Sequence, residues 1–503
     1  MGRSLFRDLN RRFAPAPDAF TRRQMLQASL ATGAGLLMSS SVLARMGRRP
    51  AMGSKRVVIV GAGFAGLACA HELKSAGYDV TIIEARNRVG GRVLSFNADF
   101  KNEFVPGRNV EGGAELIGSN HPLWVSYAEK FGLEFLEIKD IEGLTYPIVI
   151  DGKMLEAEAA EKLWEDMDAA LNQMNPLAEP LDPDKPWEAK DAAALDKKSI
   201  QEWINGLDVE PLVKKACWIN QVGDNGVDPT RASLLGQLTA VKGGGLEKFW
   251  SDTEVYRCKG GNALLARKLS EAIGMDRIVL ELPVTRIEAK GQGMIVTCKD
   301  GRTLECDDVV LTVPPSVWSK IEMDPPLPPT LRPQMGLNTK YLAHTKTKFW
   351  NAAKVSADGL GNGAVQMTWD ATDGQEGEKD GCMVAFSGGP GAEQVLNFDK
   401  DKRDAEYAKV MSKFYPQWES EFVKSRFMDW PKDPLVLASY SFPAPGQVTT
   451  MGPQLAKAHG PGGRLHLAGE HTCYKFVGYM EGGLCSGANV AKRIAMRDAA
   501  VSK

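Results

Sequence analysis

Val57-Val58-Ile59-Val60-Gly61-Ala62-Gly63-Phe64-Ala65-Gly66, running on into 67–76, is the stretch whose reading decides the fold. The apolar run 57–60 predicts a short strand buried on both faces. It leads without a spacer into three glycines in the pattern GxGxxG, and 67–76 then predicts a helix, with the small residues Ala65, Ala68 and Ala70 allowing close packing and Gly77 ending it. Val80-Thr81-Ile82-Ile83 predicts a second strand, ended by Glu84. Each residue has a physical task. Gly61 permits a tight turn, Gly63 lets backbone approach a diphosphate, and Gly66 lets helix and strand pack closely. The first helical turn, with Phe64 and Ala65, offers N–H groups and a positive dipole end to phosphate oxygens. Glu84 follows Gly63 by 21 residues, where an acid accepts hydrogen bonds from ribose hydroxyls. Three glycines alone are a weak signal, equally at home in a turn without a ligand. Strand, glycines, helix, strand and acid in that order predict a dinucleotide-binding βαβ unit.

The rest of the chain sets bounds. Its 503 residues exceed one small core and predict several domains. Lys plus Arg is 61 against 63 for Asp plus Glu, so no global basic field exists to hold nucleic acid or an anionic membrane. The eight cysteines form no CxxC pair and the six histidines show no ligand spacing, so no metal site is expected. The cysteines read mainly as small buried apolar residues. A two-residue turn at Asp300-Gly301 places Cys298 opposite Thr303 rather than Cys306.

Residues 1–53 differ in character from the remainder of the chain. Arg22-Arg23 precedes a modestly apolar, Ala-, Gly- and Ser-rich stretch over 25–43, and Val42-Leu43-Ala44 is similar to a small-residue cleavage site. The layout resembles a twin-arginine signal peptide over 1–44 with a linker over 45–53. It implies passage of an already folded, cofactor-loaded protein through the twin-arginine export machinery to the periplasm or beyond. The alternatives are an uncleaved anchor and a tail without order. No later run approaches membrane-spanning length, so the mature protein is expected to be soluble.

Beyond Glu84, the run Glu84-Ala85-Arg86-Asn87-Arg88-Val89-Gly90-Gly91-Arg92 extends the motif, and Glu111-Gly112-Gly113-Ala114-Glu115 supplies a second glycine pair. Near the C-terminus, Arg464-Leu465-His466-Leu467-Ala468-Gly469-Glu470 predicts a last buried strand and turn, and Gly478-Tyr479-Met480-Glu481-Gly482-Gly483 precedes a helix predicted over 484–496. Together these resemble the flavin amine oxidase family of monoamine oxidases and L-amino acid oxidases. The resemblance runs through most of 54–500, densely near 55–120, 256–263, 282–350 and 439–490, and thinly over 130–250.

The resemblance implies an α/β fold in which a Rossmann-like FAD-binding domain (54–128, 252–335, 456–503) is interleaved with an α+β substrate domain (129–251, 336–455). It assigns Gly61, Gly63, Phe64, Ala65, Gly66, Glu84, Ala85, Arg86, Gly91 and Arg92 to the adenosine and diphosphate end of FAD. Gly112, Gly113, Ala114 and Glu115 pass near the flavin, Val284 meets the adenine end through its backbone, Gly469 and Glu470 meet the ribityl region, and Tyr479 and Met480 meet the flavin ring. Lys340, in a strand predicted over 337–349 before Phe349-Trp350, matches a lysine that holds a water at flavin N5; Lys346 and Lys348 are the comparison for an ordinary strand lysine. Tyr479 and Tyr440 match the aromatic walls beside the substrate nitrogen, with a packed core tyrosine as the alternative for each. Trp369 reads equally as pocket wall or core, and His344, on the same strand face as Lys340, as core with a pocket group as the alternative.

Two departures refine the expectation. The neighbourhood Ala438-Ser439-Tyr440 lacks the cysteine through which monoamine oxidases attach flavin, so FAD is expected to be noncovalent. Ala114-Glu115-Leu116-Ile117 lacks the arginine with which many L-amino acid oxidases clamp the substrate carboxylate. The function implied is oxidative deamination of an amine or L-amino acid, with O2 reduced to H2O2. A carbon-skeleton desaturase similar to phytoene desaturase or protoporphyrinogen oxidase and a noncatalytic electron carrier stay open, as does a homodimer.

Overall fold

The computed structural model describes residues 55–138 and 143–501. Strand β1 (Arg56–Val60), helix α1 (Phe64–Ser75) and strand β2 (Asp79–Ile83) form the βαβ unit. β1 is central in a five-stranded parallel sheet in the order Leu465–Leu467, Asp308–Leu311, β1, β2, Ile278–Val279. Val57 to Val60 are all buried. A strand covered on both faces needs no polar alternation, which is why four apolar residues in a row could occur.

Helix α1 packs on the C-terminal helix Met480–Val501. A Cβ on Gly487 of that helix would lie 2.0 Å from the carbonyl oxygen of Ala65. The helix predicted from Leu484 starts one turn earlier, at Met480, with Glu481 in its first turn. Glu481 is fully buried and accepts the N–H groups of Leu123 and Trp124, both at 2.9 Å. Burial pushes its carboxyl up.

Asp308 ties the C-terminal helix to the sheet. It is fully buried, and it accepts two hydrogen bonds from Arg497 (2.6 and 2.7 Å) and makes a third with the His466 ring (3.0 Å). Burial pushes this carboxyl up, but the Arg497 and His466 hydrogen bonds outweigh it and hold it below the usual value. Asp308→Ala would strand the cations and cost about 3–5 kcal/mol. Because the folded pKa is depressed, the stabilisation is present above the unfolded value of about 4 and is lost as pH falls through the folded value. Thermal unfolding of both proteins across pH checks this. The gap in Tm should be widest near neutrality and narrow in acid; a gap independent of pH would refute it.

A separate seven-stranded sheet runs in the order Phe422–Met428, Asn338–Thr347, Lys379–Gly388, Met367–Asp370, Gly359–Gly361, Ile148–Ile150, Lys153–Met154. The strand expected over 337–349 is one of these, Asn338–Thr347. A four-stranded sheet holds Val284–Lys290 and the hairpin Gly293–Cys298 with Thr303–Cys306. The hairpin register corrects the sequence reading by one residue: Thr303 pairs with Thr297, and Cys298 faces Arg302 across a three-residue turn. The positive φ of Gly301 (87°) accommodates the extra residue. All eight cysteines are free and buried.

The segment 186–225 folds as several helical pieces. Pro186–Glu188 is a 3₁₀ turn, Ala192–Lys197 and Ile200–Asn205 are short helices, and Pro211–Asn225 is the long one. Ser199 and Glu202 form a capping box that starts a new helix, and Pro211 at a first helical position starts another. This helical layer and the seven-stranded sheet both line a cavity that reaches back to the β1 turn. Among the described residues, no helix is long and apolar enough to cross a membrane.

Candidate active site

The cavity has a volume of 460 Å³ and runs from Glu84, Ala85 and Val284 to Tyr440 and Tyr479. At the first end, β1 turns through Gly61, whose φ of +109° suits glycine. A Cβ on Gly66 would sit 2.0 Å from the Gly61 carbonyl oxygen, so helix and strand meet only because Gly66 has none. Gly63 caps α1 without a side-chain hydrogen bond, leaving the first-turn N–H groups to whatever enters the cavity. The loop carrying Gly91 comes in against Gly63, where a Cβ on Gly91 would lie 3.2 Å from the Gly63 Cα. Glu84 clamps both turns: one carboxylate oxygen accepts the Ala62 N–H at 2.7 Å and the other the Arg86 N–H at 2.8 Å.

Arg86 and Arg92 both line the cavity, and each is balanced by an acid. Arg86 pairs with Asp433 at 2.8 Å. Arg92 donates to Glu470 at 3.0 Å and to the Ser439 carbonyl at 2.5 Å. Glu470 also accepts Ser441 Oγ at 2.6 Å and the Gly478 N–H at 2.9 Å, so it braces the segments bearing both tyrosines. Phe64, Ala65, Gly113, Ala114, Glu115, Gly469 and Met480 line the same space. Gly66 and Gly112 do not; they shape it from behind, Gly66 by packing and Gly112 by accepting the Trp430 indole N–H at 2.9 Å. A dinucleotide fits this wall, because it presents an uncapped helix start, a glycine cleft without side chains and two arginines.

Lys340 reaches the cavity from the strand Asn338–Thr347. Its ammonium donates to the carbonyls of Glu111 (3.1 Å) and Gly113 (2.9 Å) and to the Glu115 carboxylate (2.5 Å). An ammonium has three donors, and these three partners take them all. The water-holding role implied by the resemblance would require one of them to be released. Glu115 is in turn held by Arg257 at 2.8 Å and by the Trp369 indole at 3.0 Å. All four side chains are buried. Behind them, Glu111 binds Ser95 and Asn109, and burial pushes its carboxyl up to about 7. The comparison lysines differ: Lys346 is exposed and bonds the Ser420 carbonyl, and Lys348 pairs with Asp370 away from the cavity.

Tyr440 donates to the Gly223 carbonyl at 3.0 Å, and Tyr479 to Glu254 at 3.3 Å. Trp369 lines the cavity, whereas His344 lies outside it against Asp380 at 2.8 Å. The sequence reading missed Asp224, Asn225, Gln237 and Phe249, which the helical layer contributes, Glu254 from the turn after it, and Met367 and Phe386 from the sheet. It also missed Arg257, the buried partner of Glu115. Nothing in the short strand Tyr256–Cys258 tells from sequence that its arginine is buried.

Comparison with known proteins agrees with this geometry. A profile of flavin containing amine oxidoreductases matches residues 64–495. The chain is 28% identical over 443 residues to (S)-6-hydroxynicotine oxidase of Paenarthrobacter nicotinovorans, covering 85% of this chain and 96% of that one. It is 26% identical over 471 residues to flavin-containing amine oxidase A of Equus caballus, covering 87% and 84%. The structure superposes on cyclohexylamine oxidase from Brevibacterium oxydans with a TM-score of 0.77 and 25% identity, over 88% of this chain and 99% of that one. A chain with this turn, this buried lysine and this match over most of its length belongs to the flavin containing amine oxidoreductase family.

Proposed function

We propose that this protein is an FAD-dependent oxidase that deaminates an amine and reduces dioxygen to hydrogen peroxide. The observation that carries the reading is the continuity of one cavity, from the diphosphate-type turn past the buried Lys340 to Tyr440 and Tyr479. A flavin held along this wall would supply a two-electron acceptor for oxidation at the carbon bearing the nitrogen, with dioxygen as the final oxidant. The chain does the rest. Tyr440 and Tyr479 present aromatic faces to the substrate nitrogen. Phe249, Met367 and Phe386 narrow this end with apolar surface, which favours the neutral amine that oxidation needs. Lys340 keeps a fixed positive charge at the cavity wall, and the start of the helix Met480–Val501 adds N–H groups and a positive dipole end. The imine product leaves and hydrolyses to a carbonyl compound and ammonia. Turnover of an amine should release ammonia and peroxide in equal amounts; ammonia without peroxide would replace dioxygen with another acceptor.

FAD is bound without a covalent link. None of the eight cysteines and no histidine lines the cavity among the described residues, and the position before Tyr440 is Ser439, which bonds Asn338 at 2.6 Å. Acid precipitation should therefore leave all the yellow chromophore in the supernatant, where it elutes as FAD. A yellow pellet would contradict this.

The same reading includes export by the twin-arginine route, which rests on residues 1–44, outside the described residues. Exchanging Arg22 and Arg23 for lysine should retain the protein in the cytoplasm with its flavin bound. Unchanged export of that variant would refute the assignment.

A further inference from the structure

Two thiols meet behind the cavity wall. The segment 469–476 packs along the start of the helix Met480–Val501. The Gly469 N–H donates to Ser486 Oγ at 2.9 Å, and a Cβ on Gly482 would lie 2.2 Å from the Phe476 carbonyl oxygen and 3.4 Å from Glu470 Cα. Cys473 is midway along that segment, and Cys485 lies on the helix between Gly482 and Ser486. Both are buried, and their thiols share a hydrogen bond. Cys298 and Cys306, closer in sequence, do not meet: Cys306 faces Met294 and Cys298 faces Arg302 across their hairpin.

Two charged groups frame the pair. Cys485 Sγ donates to Glu481 Oε1 at 3.2 Å, one helical turn earlier. The Lys475 ammonium, paired with Asp184 at 2.7 Å, acts electrostatically on both sulfurs. The hydrogen bond with Cys473, burial and the Glu481 carboxylate hold the Cys485 thiol well above its usual range, so it keeps its proton until a base takes it. Cys473 is the more exposed of the two, at 7% against 0%, and meets a small oxidant first. The Lys475 charge stabilises whichever sulfur becomes a thiolate.

We propose that Cys473 and Cys485 are a redox pair that hydrogen peroxide closes to a disulfide, tying the segment that carries Glu470 to the helix behind it. Peroxide oxidises the Cys473 thiol to a sulfenic acid and releases one water. The Cys485 sulfur then attacks the Cys473 sulfur. Glu481 takes the Cys485 proton and returns it to the departing hydroxide, which leaves as a second water. Two thiols thus give up two electrons and two protons, and one peroxide becomes two waters. Because Glu470 braces the segments bearing Tyr440 and Tyr479, the closed form holds that wall more tightly. Peroxide is the product proposed above, but the pairing stands apart from that reading, since added peroxide serves equally.

The test takes the flavin-loaded protein, reduced with a thiol reagent and desalted, and exposes it to a small excess of hydrogen peroxide. The denatured protein should then show two fewer free thiols of its eight, and peptide mass mapping should find Cys473 joined to Cys485. The cross-link should raise Tm by about 3 °C, reversed by dithiothreitol, as closing a loop of this length in a chain of this size would give. Cys473→Ser and Cys485→Ser should bind flavin as before and show neither the cross-link nor the rise. Glu481→Gln should slow closure about 100-fold. Thiols that all survive peroxide, a different pairing, or Cys473 oxidised to a sulfinic acid with Cys485 still free would overturn the inference and leave the amine oxidase reading standing.

Discussion

Replacing Lys340 by methionine slows flavin reduction by amine about 100-fold, while flavin stays bound. The magnitude is that of removing one preorganised electrostatic group from an active site. Methionine keeps much of the lysine stem's volume, so the strand Asn338–Thr347 should retain its packing. What disappears is a buried positive charge at the cavity wall, with its hydrogen bonds to Glu111, Gly113 and Glu115. Glu115 keeps Arg257 and Trp369, so the cost in stability lies at or below the low end of the ~3–5 kcal/mol typical of a broken buried pair. Stopped-flow absorbance under anaerobic conditions, then on mixing with dioxygen, reads both half-reactions. Unchanged rates in both would remove Lys340 from the chemistry. Glu115→Gln separates the lysine's charge from its placement, because it retains the ammonium and weakens the group that holds it.

Gly66→Val abolishes flavin binding. A Cβ at this position would stand 2.0 Å from the Gly61 carbonyl oxygen and 3.0 Å from Thr312 Oγ1. The closer neighbour is backbone and cannot swing aside as a side chain would. Either α1 shifts away from β1 or the turn at Gly61 opens, and both displace the first-turn N–H groups that line the cavity. Overpacking of this kind costs about 1–3 kcal/mol. The visible absorbance of the purified variant relative to its protein absorbance should be near zero, and its Tm should fall. Full flavin content with an unchanged Tm would show that the turn is not the cofactor's cradle.

The cradle was legible in the sequence because its parts are local. β1, the three glycines, α1, β2 and Glu84 are contiguous, and each is constrained by a backbone geometry that few residues satisfy. Lys340, Tyr440 and Tyr479 were legible only through resemblance, since nothing in a strand lysine distinguishes it from Lys346 or Lys348 by pattern. The partnership of Lys340 with Glu115 spans 225 positions, and no periodicity reports a contact of that range. Glu115 was expected as a flavin neighbour, and it does line the cavity, but its carboxylate is committed to Lys340 and Arg257. Asp224 and Glu254 were invisible for another reason. They lie in or beside the helical layer over 130–250, where helix starts at Pro211 and Ser199 and helix ends at Gly206 and Gly226 can be read, but the direction of each helix into the cavity is set by tertiary packing. The hairpin register failed by one residue because turn length, not pattern, fixes it.

The central claim is that one cavity joins a flavin to an amine. Anaerobic titration of the purified, flavin-loaded protein with a panel of amines and L-amino acids tests it most directly, because flavin absorbance reports reduction without reference to any acceptor. Bleaching by amines, with amino acids poor or inert, is the predicted result. A flavin that stays oxidised with every amine in the panel would contradict the account.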